Sequence, residues 1–324
     1  MYNLITPKQV LKLLIAIHKN PILKRTILPA LPIAGIDGTL SGRMHLLAKK
    51  RRLRAKTGTL TGVSNIAGYC NTQHHGKLMF VDQHLDRLFE GSKAIDLDIG
   101  LTKEELIEAI TYICKINEMT SGVHIRLVVT RGIKKTPFQS PRANTGKSTI
   151  VIIPEWKEVS KQVIAEGIKL HTVHIQRGNP TVQDPLWNSL SKLNCISACI
   201  QAEKAGADEA LMLNPNGFIS TCNSTHFFII RNQELWTSNG LYCIEGITRG
   251  NIISLAKKLG LLVKECDFSL TKAYSADEAF VTGTFAGLIP VNSIDGRKIG
   301  NLLPGLITKR LIKAYKSLFE ENSK

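Results

Sequence analysis

No stretch of eighteen consecutive apolar residues occurs in the 324 residues of this chain, so no membrane-spanning helix is predicted. None of its seven cysteines forms a Cys-x-x-Cys pair, and their number is odd. That argues against a disulfide framework and a zinc site, and it predicts reduced thiols in a cytoplasmic protein. The N-terminal apolar stretch is interrupted by Lys8 and Lys12 and lacks a small-residue cleavage site, so no secretory signal is predicted. Acidic residues are scarce in the first quarter. Residues 1–80 hold Asp37 alone against 13 lysines and arginines, a net charge of +12, whereas residues 81–324 carry +4. The basic run "AKKRRLRAK" (48–56) has no aromatic residue among its charges and no reader fold around it. It therefore reads as a solvated basic edge, and nucleic-acid binding is not expected.

What is present is globular: 43% hydrophobic and 21% charged residues, with a mean hydropathy near zero. The length suits one large or two ordinary domains. Helical spacing of Val10, Leu11, Leu14 and Ile17 predicts a helix over 7–19, and the Pro/Gly-rich 28–42 reads as a loop. Strands are expected at Val63–Tyr69 and Lys77–Val81, joined as a hairpin by the polar turn "CNTQHHG". Beyond it, "DQHLDRLFEGSKAI" and "TKEELIEAITYICKI" are amphipathic helices, the second opened by a Thr102/Glu105 capping box. Strands "HIRLVVTRG" and "KSTIVIIPE" follow, then a linker near 154–162. The last half alternates strands and helices without regular βαβ order, which predicts an α+β fold rich in antiparallel hairpins.

Three stretches carry chemistry. A lysine, Lys192, precedes the helix of "SKLNCISACIQAEKAGADEALML", which leads into a strand–turn–strand unit ending "GFISTCNSTHFFII". "EGITRGNII" sets Gly246, Ile247 and Thr248 at a helix start, where free backbone N–H groups attract phosphate. "EAFVTGTFAG" puts Thr282-Gly283-Thr284 at a strand end. A reactive amine with two phosphate-cradling sites is the set of parts that anchors pyridoxal phosphate.

Their order and spacing, with "GADEALML" and "IDGR-IG", resemble the class IV aminotransferases, the fold-type IV pyridoxal phosphate enzymes. These include branched-chain aminotransferase, D-amino acid transaminase and aminodeoxychorismate lyase. The resemblance covers about residues 81–317. It implies a two-lobe fold-type IV architecture, with a small lobe at 81–155 and a large cofactor-binding lobe at 160–324. It also implies amino-group transfer between a small branched-chain or D-amino acid and a 2-oxo acid, in a homodimer. By the same resemblance Lys192 is the Schiff-base lysine. Arg87, Thr221, Ile247, Thr248 and Thr284 contact the cofactor, and Arg142, Phe285 and Ala286 contact the substrate. Three departures stand out. Thr221 occupies the place of a glutamate that holds the pyridine nitrogen's proton. The interval from Lys192 to Gly206 is about one helical turn short. The family's opening strands are not found before "HLDRL".

Residues 5–80 resemble instead the C-terminal part of D-alanyl-D-alanine carboxypeptidases of the penicillin-binding-protein-4 kind, through "LITPKQVLKLL", "LPIAGIDGTLSGR" and "AKTGTLTGVSNIAGY". That predicts a foreign, hairpin-containing segment at 1–80. In that family Lys56, Thr57 and Gly58 orient a substrate carboxylate, while the nucleophile comes from an upstream Ser-x-x-Lys. None precedes Lys56, and "SLSK" (189–192) lies in the other part of the chain. The alternative function is thus a catalytically incomplete serine carboxypeptidase or penicillin-binding fragment. His74 and His75 read as a polar turn, His171 and His174 receive no role, and Cys195 and Cys199 read as buried apolar fillers. His226, beside Thr221, is either a contact near the cofactor or an ordinary core-edge histidine.

Overall fold

The computed structural model describes residues 7–33, 36, 40, 41, 53–60, 63–70 and 77–322. The chain divides into two compact units, residues 1–74 and 75–324. In the first, helix α1 (Pro7–Lys19) forms where apolar spacing predicts it. Helix α2 (Pro21–Ala30) follows at once, because Asn20 accepts hydrogen bonds from the Ile22 and Leu23 backbone N–H groups and Pro21 fits the first turn. This helix overruns the start of the loop expected from residue 28. Strands β1 (Leu53–Leu60) and β2 (Val63–Cys70) pair antiparallel, with Leu60 opposite Val63.

That pairing corrects the hairpin expected from sequence. β2 pairs backward onto β1, and residues 77–80 form no strand. Phe80 adopts a left-handed conformation (φ 57°) ahead of the next helix. Its ring stacks on Tyr315 at 6.5 Å and meets Phe319 edge-on at 5.4 Å, so the apolar run is spent on packing. Lys56, Thr57 and Gly58 lie on β1 opposite Ala67, Ile66 and Asn65, but their side chains fall outside the described ones. His74, His75 and residues 48–52 lie outside the described residues altogether.

The second unit opens with α3 (Val81–Ala94) and α4 (Lys103–Ile116), the latter started by the full Thr102/Glu105 capping box. Strands β3 (Val123–Thr130) and β4 (Thr149–Trp156) form a hairpin whose Leu127, Val129 and Ile150 pack against Leu85, Ile99 and Leu106. Helix α5 (Lys161–Glu166) leads into β5 (Ile168–Thr172), α6 (Leu193–Lys204), β6 (Glu209–Leu213), β7 (Ile219–Cys222), β8 (His226–Arg231) and β9 (Glu234–Thr237). Then come α7 (Ile247–Lys258), β10 (Val263–Glu265), α8 (Leu270–Tyr274), β11 (Glu278–Gly283), β12 (Gly287–Ile294), β13 (Arg297–Lys298) and α9 (Leu306–Asn322).

Nine of these strands make one mixed sheet in the order β10-β9-β8-β11-β12-β5-β6-β7, with β13 on β12. Its centre is buried on both sides, which is why "FFII" and "AFV" are continuously apolar. Phe227, Ile229, Ala279 and Val281 face the core that includes Phe268 and Ala273. Phe228, Ile230 and Phe280 face the opposite core, built with Ile252, Ile253 and Leu311 of α7 and α9. Phe228 and Phe280 stack at 5.1 Å on that second face.

Candidate active site

The line of Phe228 and Phe280 runs one step further along β8 and β11 to His226 and Thr282, which are direct cross-strand partners. Directly paired residues share a face of the sheet, so both lie on the side that α7 covers. Gly246 is the N-cap of α7, and a side chain there would collide with His226 Nε2. The first-turn N–H groups of Ile247 and Thr248 therefore open next to this imidazole. Thr248 is buried, and its side chain hydrogen-bonds Tyr315 on α9.

Three cations converge here. Arg87, on α3, donates from Nη1 to the Glu245 carbonyl at 2.7 Å, and burial lowers its pKa. Arg177, which follows β5, is buried; its Nε donates to the Tyr242 carbonyl at 3.2 Å and its Nη1 reaches Cys195 Sγ at 2.9 Å. Lys192 is the residue before α6, and its Nζ approaches Asn188 Oδ1 at 3.4 Å. Burial holds the Lys192 amine below the ordinary lysine value; the nearby Cys195 opposes this, while Arg177 and Arg87 push the same way as burial. A depressed lysine spends more of its time as the neutral, nucleophilic amine. His226 feels burial first and then Arg249, Arg177 and Arg87, which together bring its pKa to about 3.

The structure brings Lys192, Arg87 and Arg177 near one another beside the helix start that carries Ile247 and Thr248. Cys195, read as an apolar filler, is buried but lies against a guanidinium. Thr221 is buried on β7, where its hydroxyl donates to the Thr225 carbonyl at 2.7 Å. The buried Glu209 accepts from the Ser224 and Thr225 hydroxyls and the Ser224 N–H, and so fixes the turn that delivers His226. Burial raises the pKa of this carboxyl, which the hydroxyls and N–H groups oppose.

Thr284, Phe285 and Ala286 form the turn after β11. Phe285 meets His124 edge-on at 6.0 Å and lies under Lys157 Nζ at 4.6 Å. Leu127 and Val129 face the helices of the small hairpin's core, so strand alternation turns His124 and Arg126 to the opposite side, toward Phe285. His84 stands one turn before Arg87 on α3 and has its pKa lowered to about 4 by burial, Arg87 and His124. It links the cation cluster to the Phe285 turn. Arg142 lies in the 3-10 turn Pro141–Ala143, exposed, and its guanidinium joins no group of this cluster among the described residues. Sequence reasoning missed Arg177, His84, His124 and Arg126. The last two leave a trace, since "HIR" puts polar residues two apart at the start of an apolar strand.

These residues fit a phosphate-bearing aldehyde. They provide a helix N-terminus, two arginines, a half-buried amine of lowered pKa, the buried and unpartnered Thr282 hydroxyl, and the buried His226 ring. A cavity of about 530 Å³ lined by Phe89, Asp96, Asp98 and Glu105 lies against α3 and α4 and holds none of them. Among the described residues no group of three His, Cys, Asp or Glu stands close enough to hold a metal ion. No helix among them is long and apolar enough to cross a membrane.

The family model for amino-transferase class IV matches residues 72–294, and that for the D-Ala-D-Ala carboxypeptidase 3 (S13) family matches residues 1–94. A putative branched-chain-amino-acid aminotransferase of Methanocaldococcus jannaschii is 38% identical over 248 residues, 76% of this chain and 84% of that protein. The branched-chain-amino-acid aminotransferase-like protein 2 of Arabidopsis thaliana is 37% identical over 245 residues, 76% of this chain. The chain spans 44% of the length of that plant relative. Among solved structures, the Escherichia coli branched-chain amino acid aminotransferase superimposes with a TM-score of 0.68 at 27% identity, covering 76% of this chain and 82% of that one. The Thermobaculum terrenum branched-chain amino acid aminotransferase in its PLP-form (holo-form) gives 0.68 at 25%, covering 82% and 83%.

Proposed function

This chain belongs to the class IV amino-transferases and has their fold-type IV architecture, and from that premise we propose that it is a pyridoxal-phosphate-dependent transaminase. It would exchange an amino group between a small amino acid, branched-chain or of D configuration, and a 2-oxo acid. The observation that carries this reading is the convergence of Lys192, Arg87 and Arg177 on the open N-terminus of α7.

Arg87, Arg177 and the Ile247 and Thr248 N–H groups would hold the phosphate, with Thr284 adding its hydroxyl from the following turn. When bound, pyridoxal phosphate supplies the electron sink for bond breaking at the amino acid's Cα. Lys192 is the amine to which it would be anchored and the base that takes the Cα proton and returns it. Its lowered pKa suits both tasks, because the neutral form is the one that attacks and accepts a proton. Thr221 offers no carboxylate to the ring nitrogen and has committed its hydroxyl proton to Thr225, so slower turnover is expected. Phe285 and Ala286 would line the substrate side, with Arg142 reaching a second subunit's site in a dimer.

The test is optical. Protein reconstituted with pyridoxal phosphate should show a visible band that borohydride bleaches, and Lys192→Ala should lack it. A band that survives in Lys192→Ala would sink the assignment. The carboxypeptidase model over 1–94 favours a second reading, a segment that binds peptide or penicillin without turnover. Ser189 of "SLSK" is no free nucleophile, since its hydroxyl takes hydrogen bonds from Gln183 Nε2 at 2.7 Å and the Ser191 N–H at 3.3 Å. A fluorescent penicillin should therefore leave the protein unlabelled, and covalent labelling would restore that reading.

A further inference from the structure

We propose that His226 is itself a ligand of the phosphate held at the start of α7, donating a hydrogen bond from Nε2. The proposal rests on the cofactor reading above and adds to it a residue that the resemblance assigns no contact.

His226 is 8% exposed, yet neither ring nitrogen has a hydrogen-bond partner among the described residues. A core histidine ordinarily satisfies at least one nitrogen, because leaving a buried donor unpaired is costly. Its cross-strand neighbour Thr282, 1% exposed, is likewise unpartnered at Oγ1. Two unsatisfied groups thus sit side by side on the sheet face beneath one helix N-terminus. The ring edge that carries Nε2 lies against Gly246 so closely that a Cβ there would collide with it. Gly246 has φ −71°, which any residue adopts, so the backbone does not demand glycine; the approach of the imidazole does.

The charges around the ring explain why an imidazole suits this place. Arg87 faces it from α3, Arg177 from the segment after β5, and Arg249 from α7. Arg249 Nη2 donates to Glu265 at 2.9 Å and to the Ser238 carbonyl at 2.7 Å, which turns that end of the guanidinium to other partners. A further lysine or arginine would add repulsion to the empty site. A neutral imidazole supplies an N–H donor without adding a charge, and a phosphate between Nε2, the Thr282 hydroxyl and the Ile247 and Thr248 N–H groups would give both side chains a partner.

The experiment compares wild type with His226→Gln, whose amide nitrogen falls near the Nε2 position, and His226→Leu, which has no donor. Dissociation constants for pyridoxal phosphate are read from the visible band, and for inorganic phosphate by competition. His226→Leu should bind both about ten- to a hundredfold more weakly, and His226→Gln within a few-fold of wild type. His226→Leu with wild-type affinities overturns the proposal while leaving the transaminase reading intact. A wild-type protein with no visible band overturns that reading instead. Should a variant fail to fold, wild-type protein labelled with ¹⁵N-histidine decides: inorganic phosphate should shift the His226 Nε2 resonance, and an unmoved resonance overturns the proposal.

Discussion

Two histidines, His84 and His226, are held neutral inside a ring of cations, and this makes the fold acid-sensitive. Unfolded, each takes a proton near pH 6.5; folded, burial and the neighbouring positive charges bring them to about 4 and about 3. Between those values the unfolded chain binds more protons than the native one, so stability rises with pH. Above pH 6.5 neither group contributes a slope, and below about pH 3 the loss is complete. Each pH unit crossed costs about 1.4 kcal/mol per histidine. The melting temperature, measured without phosphate, should fall from pH 7 toward pH 4, and the double variant His84→Gln/His226→Gln should show a shallower fall. An equal slope in the variant would contradict this. At this scale the sequence discloses Lys192 and the Ile247–Thr248 turn, because each sits beside a helix start in a fixed order. It does not disclose Arg177, Arg126, His124 or His84, since arginine and histidine are common and these four come from α3, β3 and the segment after β5, which lie far apart in the chain.

Elements are legible where their end signals are local. Thr102 and Glu105 satisfy each other's backbone partners across three residues, and α4 starts where they say. The hairpin is harder, because "KLMFV" has strand composition but its aromatic ring is used against α9. Long-range caps are invisible in sequence altogether. Glu278 opens β11, yet its carboxylate accepts from the Ile307 and Thr308 N–H groups at 2.9 and 2.7 Å and so caps α9. The charge also complements the positive end of that helix. Gly305 makes room, since a Cβ there would collide with the Glu278 side chain. Glu278→Ala should destabilise the protein by about 1–2 kcal/mol in urea unfolding, with α9 amides exchanging faster. No change in either would show that α9 is held by packing alone.

At the scale of the molecule, the two family matches overlap at residues 72–94, across the boundary between the units and into α3, the helix that carries His84 and Arg87. The remaining apolar surface points to self-association. Leu193, Ile196 and Ile200 are 78%, 55% and 45% exposed and stand three and four residues apart, so they form a stripe along one side of α6. Leu190, 68% exposed, extends it toward the loop that sets Lys192. Three large aliphatic side chains on one helix face are costly to leave in water, and pairing with a second copy buries them without disturbing the α6 face that packs Ala198 and Ala202 into the core. Such a dimer would seat its interface one helical turn from the reacting amine, so association and cofactor affinity should move together. Ile196→Glu, placed on the exposed side, should shift the protein to monomer by light scattering and weaken pyridoxal phosphate binding about tenfold, while far-UV circular dichroism stays as in wild type. A variant that remains as associated as wild type would show that the stripe does not hold the copies together.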